Sequence, residues 1–148
     1  MIVLILAAAA AAATEAPPTI APRCRGVGLD AAVTHYATVA RAMDPRRTAQ
    51  LYAVDGVLIG PNAEPVTGPR EIEAFLAGAG GYKLGEQIMV VDTTERSATG
   101  WRTVGEFRLR GNDPKKEAFT VPGRFRADWR CLKGGWRVQR MQTFAGGQ

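Results

Sequence analysis

The sequence predicts an α+β domain in which an antiparallel sheet lays one face on three N-terminal helices. Three observations carry this. Helix-start signals, Asp44-Pro45 and Gly68-Pro69-Arg70-Glu71, are confined to the first part of the domain. From Gln87 onward the chain is rich in β-branched and aromatic residues, broken by turn signals at Gly111-Asn112-Asp113-Pro114 and Lys133-Gly134-Gly135. In the third long strand-like segment, Phe125, Ala127, Trp129 and Cys131 alternate with Arg124, Arg126, Asp128 and Arg130, giving one apolar and one charged face. Helices first and a meander afterwards is the order of an α+β layer.

Each element follows from local chemistry. Leu29, Val33, Tyr36, Ala37, Ala40 and Met43 recur at three- and four-residue spacing, so one amphipathic helix is expected there, with Asp30 as its cap. Asp44 before Pro45 offers a carboxylate to free amides and a proline where no donor is needed, starting a second helix that runs to about Tyr52. Asp55-Gly56 is a turn, and Val57 to Ile59 a short strand ending at Gly60-Pro61-Asn62. A third helix follows Gly68, with Glu71 placed to reach back to the cap, and stops near Ala77 before the glycine-rich break at Gly78 to Gly81. Four strands are then expected over Gln87 to Asp92, Trp101 to Arg110, Ala118 to Leu132 and Trp136 to Phe144.

A chain of 148 residues holds one domain, with enough material to bury roughly two-thirds of its surface. Residues 1–13 form an unbroken apolar run, too short to cross a bilayer as a mature helix but suited to the core of a signal peptide. Small residues offer cleavage after Ala13 or Ala16. The expected organisation is a signal peptide over 1–16, a spacer over 17–28 stiffened by Pro17, Pro18 and Pro22, and the domain over 29–144. The product is expected to be exported, periplasmic or secreted, with no membrane span left after cleavage. Cys24 and Cys131 then form an even pair that an oxidising compartment can join; the alternative is two unpaired thiols packed as small apolar groups.

The net charge of +5 favours weak association with anionic surfaces, but the arginines are spread over helices and strands, which argues against a nucleic-acid groove. His35 is the only histidine, about 100° round its helix from Tyr36, so neither a protein zinc site nor a Ser-His-Asp triad is indicated. No glycine-rich phosphate loop is present, and no cofactor is implied.

Tyr36, Asp44-Pro45, Tyr52-Ala53-Val54-Asp55-Gly56-Val57, Glu64-Pro65-Val66-Thr67-Gly68, Ile72 to Leu76, Trp129 and Gly135-Trp136 together resemble the nuclear transport factor 2-like superfamily over about residues 29 to 144. This superfamily includes polyketide cyclases of the SnoaL kind, ketosteroid isomerase, and the association domain of calcium/calmodulin-dependent protein kinase II. Small exported members of unknown function have ends that resemble the Trp129 to Trp136 hairpin. The resemblance implies a cone-shaped, curved sheet wrapped on the helices around a pocket. Such pockets serve isomerases, cyclases, dehydratases, ligand binders and oligomerisation modules, so fold alone does not assign a function.

Ketosteroid isomerase chemistry needs a carboxylate base and, for the oxyanion, a tyrosine plus a protonated acid. By resemblance the tyrosine falls on Tyr36, the base on Gly60, which has no carboxylate, and the second acid near Ala127 or on the outward Asp128. One group of three remains. Tyr36 is then either a donor to a ligand or a core tyrosine satisfied at the cavity edge. Strand parity brings Trp136, Val138, Arg140 and Gln142 to one inward face, which makes Arg140 a candidate grip on an anionic or carbonyl group. Its alternatives are an internal ion pair with Glu64 or Asp92, or a register slip that leaves it in water.

Three functions follow as expectations. The first is binding of a small, partly apolar ligand by Tyr36, Tyr52, Trp101, Arg140 and Gln142. The second is an isomerase, cyclase or dehydratase of the polyketide-cyclase type. The third is homodimerisation, with the outer-face Arg124, Arg126 and Arg130 meeting acidic groups of a second copy.

Overall fold

The structure, a computed structural model, describes Cys24 and residues 28–146. The leader and most of the spacer expected over 1–28 lie outside the described residues. Helices α1 (Leu29–Arg41) and α2 (Pro45–Ala49) lead into β1 (Tyr52–Ile59), β2 (Val66–Thr67) and α3 (Pro69–Ala77). The long strands β3 (Lys83–Ser97), β4 (Gly100–Asn112), β5 (Ala118–Leu132) and β6 (Gly135–Ala145) follow. They form one curved, open six-stranded sheet in the order β2-β1-β6-β5-β4-β3. The α+β class is as the sequence predicts, and three helices are present. One pairing differs from an all-antiparallel meander: β1 runs parallel to β6.

The helix boundaries show which local signals act. Asp44 caps α2, its Oδ1 accepting from the Arg47 amide at 3.1 Å. Asp30 does not cap α1; that position belongs to Gly28, and Asp30 lies exposed in the first turn, where its charge suits the helix dipole. The helix stops short of Met43, which adopts a left-handed φ of 54° and so turns the chain into α2. Glu71 reaches back one residue past the Gly68 cap, accepting from the Thr67 amide at 2.9 Å, while the Gly68 amide donates to the Gly56 carbonyl.

The apolar stripe of α1 (Ala32, Val33, Tyr36, Ala37, Val39) is buried, and α1 packs against β3 while α3 packs against α2 and β1. The core is made by Val33 and Tyr36 of α1, Ile72 of α3 and, from the sheet, Phe125, Ala127, Trp129, Val138 and Met141. Burial of each large side chain in this set contributes about 1.5–3 kcal/mol. The β5 alternation holds, with Phe125, Ala127 and Trp129 buried and Arg124 and Arg126 exposed. Gly105 lies opposite Phe125, and a Cβ there would overlap the Val90 carbonyl, so the strand can approach β3 this closely only without a side chain.

Strand β6 departs from simple alternation. Trp129 pairs with Val138 but Asp128 pairs with Arg140, so Gln139 is an extra residue, a bulge. Beyond it every side chain changes face. Val138 and Met141 are fully buried, while Arg140 is exposed. The expectation of Arg140 on an inner wall is therefore corrected: its face is set by the bulge, not by parity counted from Trp136. Gln142 moves with it, half-buried opposite Arg126. A second irregularity in β1, between Tyr52 and Val57, lies alongside. Gln139 ties the two together, its Nε2 donating to the Asp55 carbonyl at 3.3 Å and its Oε1 accepting from Arg130 at 3.0 Å.

Candidate functional site

Between the helices and the concave sheet face is a cavity of about 260 Å³. Its wall is mostly aliphatic and aromatic, with Leu58, Phe75, Leu76, Leu84 and Leu109 prominent, and its polar groups come from Tyr36, Asp44, Thr48, Gln87 and Thr143. Gly60 lines it as well, facing the Phe75 ring. The position to which the resemblance assigns a catalytic base is thus in the cavity and carries no side chain. Asp44, the carboxylate among the described lining residues, is already engaged as the α2 cap.

Tyr36 enters this wall from α1 because it sits on the helix's buried stripe, and Tyr52, at the start of β1, meets Tyr36 behind it. Their phenolic oxygens are 2.8 Å apart, and the rings meet edge to face with centroids 6.1 Å apart. Burial pushes the Tyr36 phenol above its ordinary ionisation range, against a lowering from the Tyr52 hydrogen bond. Burial raises Tyr52 further, and its proximity to Tyr36 adds to that. Both phenols are therefore neutral at physiological pH. They carry two hydroxyl hydrogens and use one between them, so the pair can donate one further hydrogen bond.

Other expected wall residues are not brought here. Trp101 lies opposite Trp129 in the β4–β5 pair, half-buried, with the Arg96 guanidinium 5.0 Å from its ring centroid. Arg140 and Gln142 lie on the other face of the sheet, as described above. Of the five expected residues, Tyr36 and Tyr52 are brought together; Tyr36 lines the cavity and Tyr52 bears on it through Tyr36. Ala127 is buried in the core, and Asp128 faces outward, where it holds Arg102 at 2.6 Å. That bond is also the first reason the Arg102 guanidinium is held protonated more firmly than usual. The lining residues Phe75, Gln87 and Thr143 were not anticipated. Thr143 would emerge from parity counted after the bulge, since it pairs with the inward Phe125.

Cys24 and Cys131 form a disulfide with Cα atoms 6.1 Å apart, tying the segment before α1 to the end of β5. The expected pairing of the outer arginines with a second copy is also altered. Arg124 bonds Asp92 at 2.9 Å and Glu106 at 3.3 Å, and Arg130 lies 3.6 Å from Asp55, all within the chain. Among the described residues no group of three or more metal-ligating side chains is assembled, and no helix is long and apolar enough to cross a membrane.

These features define an α+β domain whose curved sheet and helices enclose a small, largely apolar cavity with a tyrosine pair beside it. A profile of the SnoaL-like domain family matches residues 29–142, and the chain belongs to that family, within the nuclear transport factor 2-like superfamily. No curated protein matches it significantly. Solved structures share the fold at low identity. One is a candidate calcium/calmodulin-dependent protein kinase II association domain from Xanthomonas campestris (TM-score 0.68, 18% identity, 81% of this chain and 86% of that one). Another is a ketosteroid isomerase-like protein from Erwinia carotovora atroseptica (0.69, 17%, 80% and 93%). A third is a protein of ketosteroid isomerase-like fold from Catenulispora acidiphila, in complex with trimethylamine (0.58, 17%, 77% and 84%).

Proposed function

We propose that this is an exported binding protein whose cavity takes a small, neutral, mostly apolar molecule bearing a hydrogen-bond acceptor such as a carbonyl. The observation that carries the reading is the buried Tyr36–Tyr52 pair at 2.8 Å beside an apolar cavity. An apolar wall supplies affinity by burial, and one spare hydroxyl hydrogen supplies orientation. The engagement of Asp44 as a helix cap and the bare Gly60 favour binding over proton transfer. Export is supported by the apolar run at 1–13 and by the disulfide.

The test is calorimetry with a panel of small cyclic ketones, with product analysis of the same mixtures. Saturable binding without conversion, weakened about five- to tenfold by Tyr36→Phe, is expected for one lost neutral hydrogen bond. Chemical conversion of a ketone would favour the isomerase, cyclase or dehydratase reading. Affinity indifferent to Tyr36 would remove the proposed donor.

Assembly is a second, compatible reading. The outer sheet face exposes Ile88 (39%), Val90 (56%) and Phe144 (43%) around Arg124, an apolar patch that a second copy would cover. Light scattering across a concentration series is expected to show dimer; monomer throughout would remove this reading.

A further inference from the structure

We propose that a second concavity, bounded by His35 of α1, Leu51, and the Trp136-Arg137 start of β6, is a separate binding site for a small aromatic carboxylate. It has a volume of about 240 Å³ and lies beside Cys24 of the disulfide. Tyr36 lines both concavities, so its ring is part of the wall between them. The site goes beyond the neutral-ligand cavity, because its chemistry is different.

Its floor is aromatic and aliphatic, with Trp129, Trp136, Leu51 and Ala32, which suits a flat apolar body. Its basic side chains are His35 and Arg137, and among the described residues no carboxylate lines it. Arg102, Arg108, Arg124 and Arg130 each lie within ion-pair distance of a carboxylate of their own chain. Arg137 instead donates from Nη1 to the carbonyls of Trp136 at 3.1 Å and Gly134 at 3.4 Å. Those bonds hold the guanidinium over the hairpin turn while leaving Nε and Nη2 without a carboxylate partner among the described residues. A guanidinium held in part by such bonds keeps Nε and Nη2 for the planar fork that matches a carboxylate, so a ligand has less ordering left to supply. The aromatic floor and the pinned cation face the same space, which is the arrangement an arylacetate needs.

The experiment is calorimetry of the full chain, disulfide intact, with phenylacetate and its neutral isostere phenylacetamide. Phenylacetate is expected to bind saturably, with the amide about tenfold weaker or more, and Arg137→Gln is expected to bring the acid down to the amide's level. Arg137→Lys, which keeps the charge but loses the fork, should fall between. Ala31→Trp, on an exposed helix position that lines the site, is expected to abolish binding. Gly60→Leu, which fills the other cavity, should leave it within about twofold. Circular dichroism on each variant checks that the fold is kept. The proposal is overturned by the absence of saturable binding up to about 10 mM, or by equal affinity for acid and amide. It is also overturned by loss of binding on Gly60→Leu but not on Ala31→Trp. These results leave the ketone experiment on the first cavity untouched, so the two readings fail separately.

Discussion

The hydroxyl groups of Tyr36 and Tyr52, 16 positions apart in the chain, share one hydrogen bond of 2.8 Å inside the wall that joins α1 to β1. Removing either hydroxyl leaves the other buried with fewer partners, so Tyr36→Phe and Tyr52→Phe are each expected to cost about 1–2 kcal/mol in urea denaturation. The double Phe variant should cost less than the sum, because no orphaned hydroxyl then remains. Strict additivity would show that the two hydroxyls do not depend on each other.

The same pair gives the fold an alkaline limit. Both phenols titrate above the ordinary tyrosine range when folded, so the native state holds their protons more tightly than the unfolded chain does. Stability is therefore full below about pH 10, where unfolded tyrosines stay protonated, and falls as pH climbs above it. Tyr52→Phe should flatten that fall. Thermal melts between about pH 8 and 11 check it; an unchanged slope in the variant would place the cause elsewhere.

The Cys24–Cys131 disulfide spans a sequence separation of 107 and so restricts a large part of the unfolded chain. Reduction, or the paired Cys24→Ser and Cys131→Ser changes, is expected to cost about 2–5 kcal/mol, read as a lowered melting temperature. The sheet should persist by circular dichroism, since the core residues lie on the helices and strands themselves. A melting temperature unmoved by reductant would show that the bond contributes no stability.

Two outer-face residues opposite each other should behave unlike one another. Arg140 is exposed, and Arg140→Ala is expected to change stability by less than about 0.5 kcal/mol and to leave ketone binding unaltered. Asp128 is largely covered and holds the Arg102 Nε at 2.6 Å and its Nη2 at 3.2 Å. Asp128→Asn should cost about 1–2 kcal/mol. Chemical denaturation of the two variants side by side makes the comparison; a large loss at Arg140 would contradict its exposure.

What was legible in the sequence follows from locality. Asp44-Pro45, Gly68-Pro69 and the Phe125-to-Trp129 alternation declare themselves within a few residues, and the elements they predict are present with small shifts at their ends. The Asp30 cap failed because a competing backbone arrangement at Gly28 starts the helix earlier. Strand β1 was expected to begin only at Val57; its first residue, Tyr52, pairs with Val138 of β6, a partner far along the chain that no local pattern announces. The site suffered most from the same limit. Tyr36 was visible because its position along α1 is periodic, but its bond to Tyr52 depends on tertiary packing. Arg140 and Gln142 were misplaced by one unpaired residue, Gln139, whose local sequence carries no glycine or proline to mark it.

That bulge also bears on how the chain reaches its native state. Without it, β6 could close on β5 with Arg140 and Gln142 inside and Met141 outside, an alignment one step away whose buried, unpaired arginine would be costly. The β5–β6 hairpin forms between neighbours, whereas the grip on Gln139 comes from Asp55 of β1, 84 positions earlier. The alignment is thus held from two sides, by Arg130 within the local hairpin and by Asp55 from a strand distant in sequence, so the pairing of β5 with β6 depends in part on a contact that the hairpin alone does not contain.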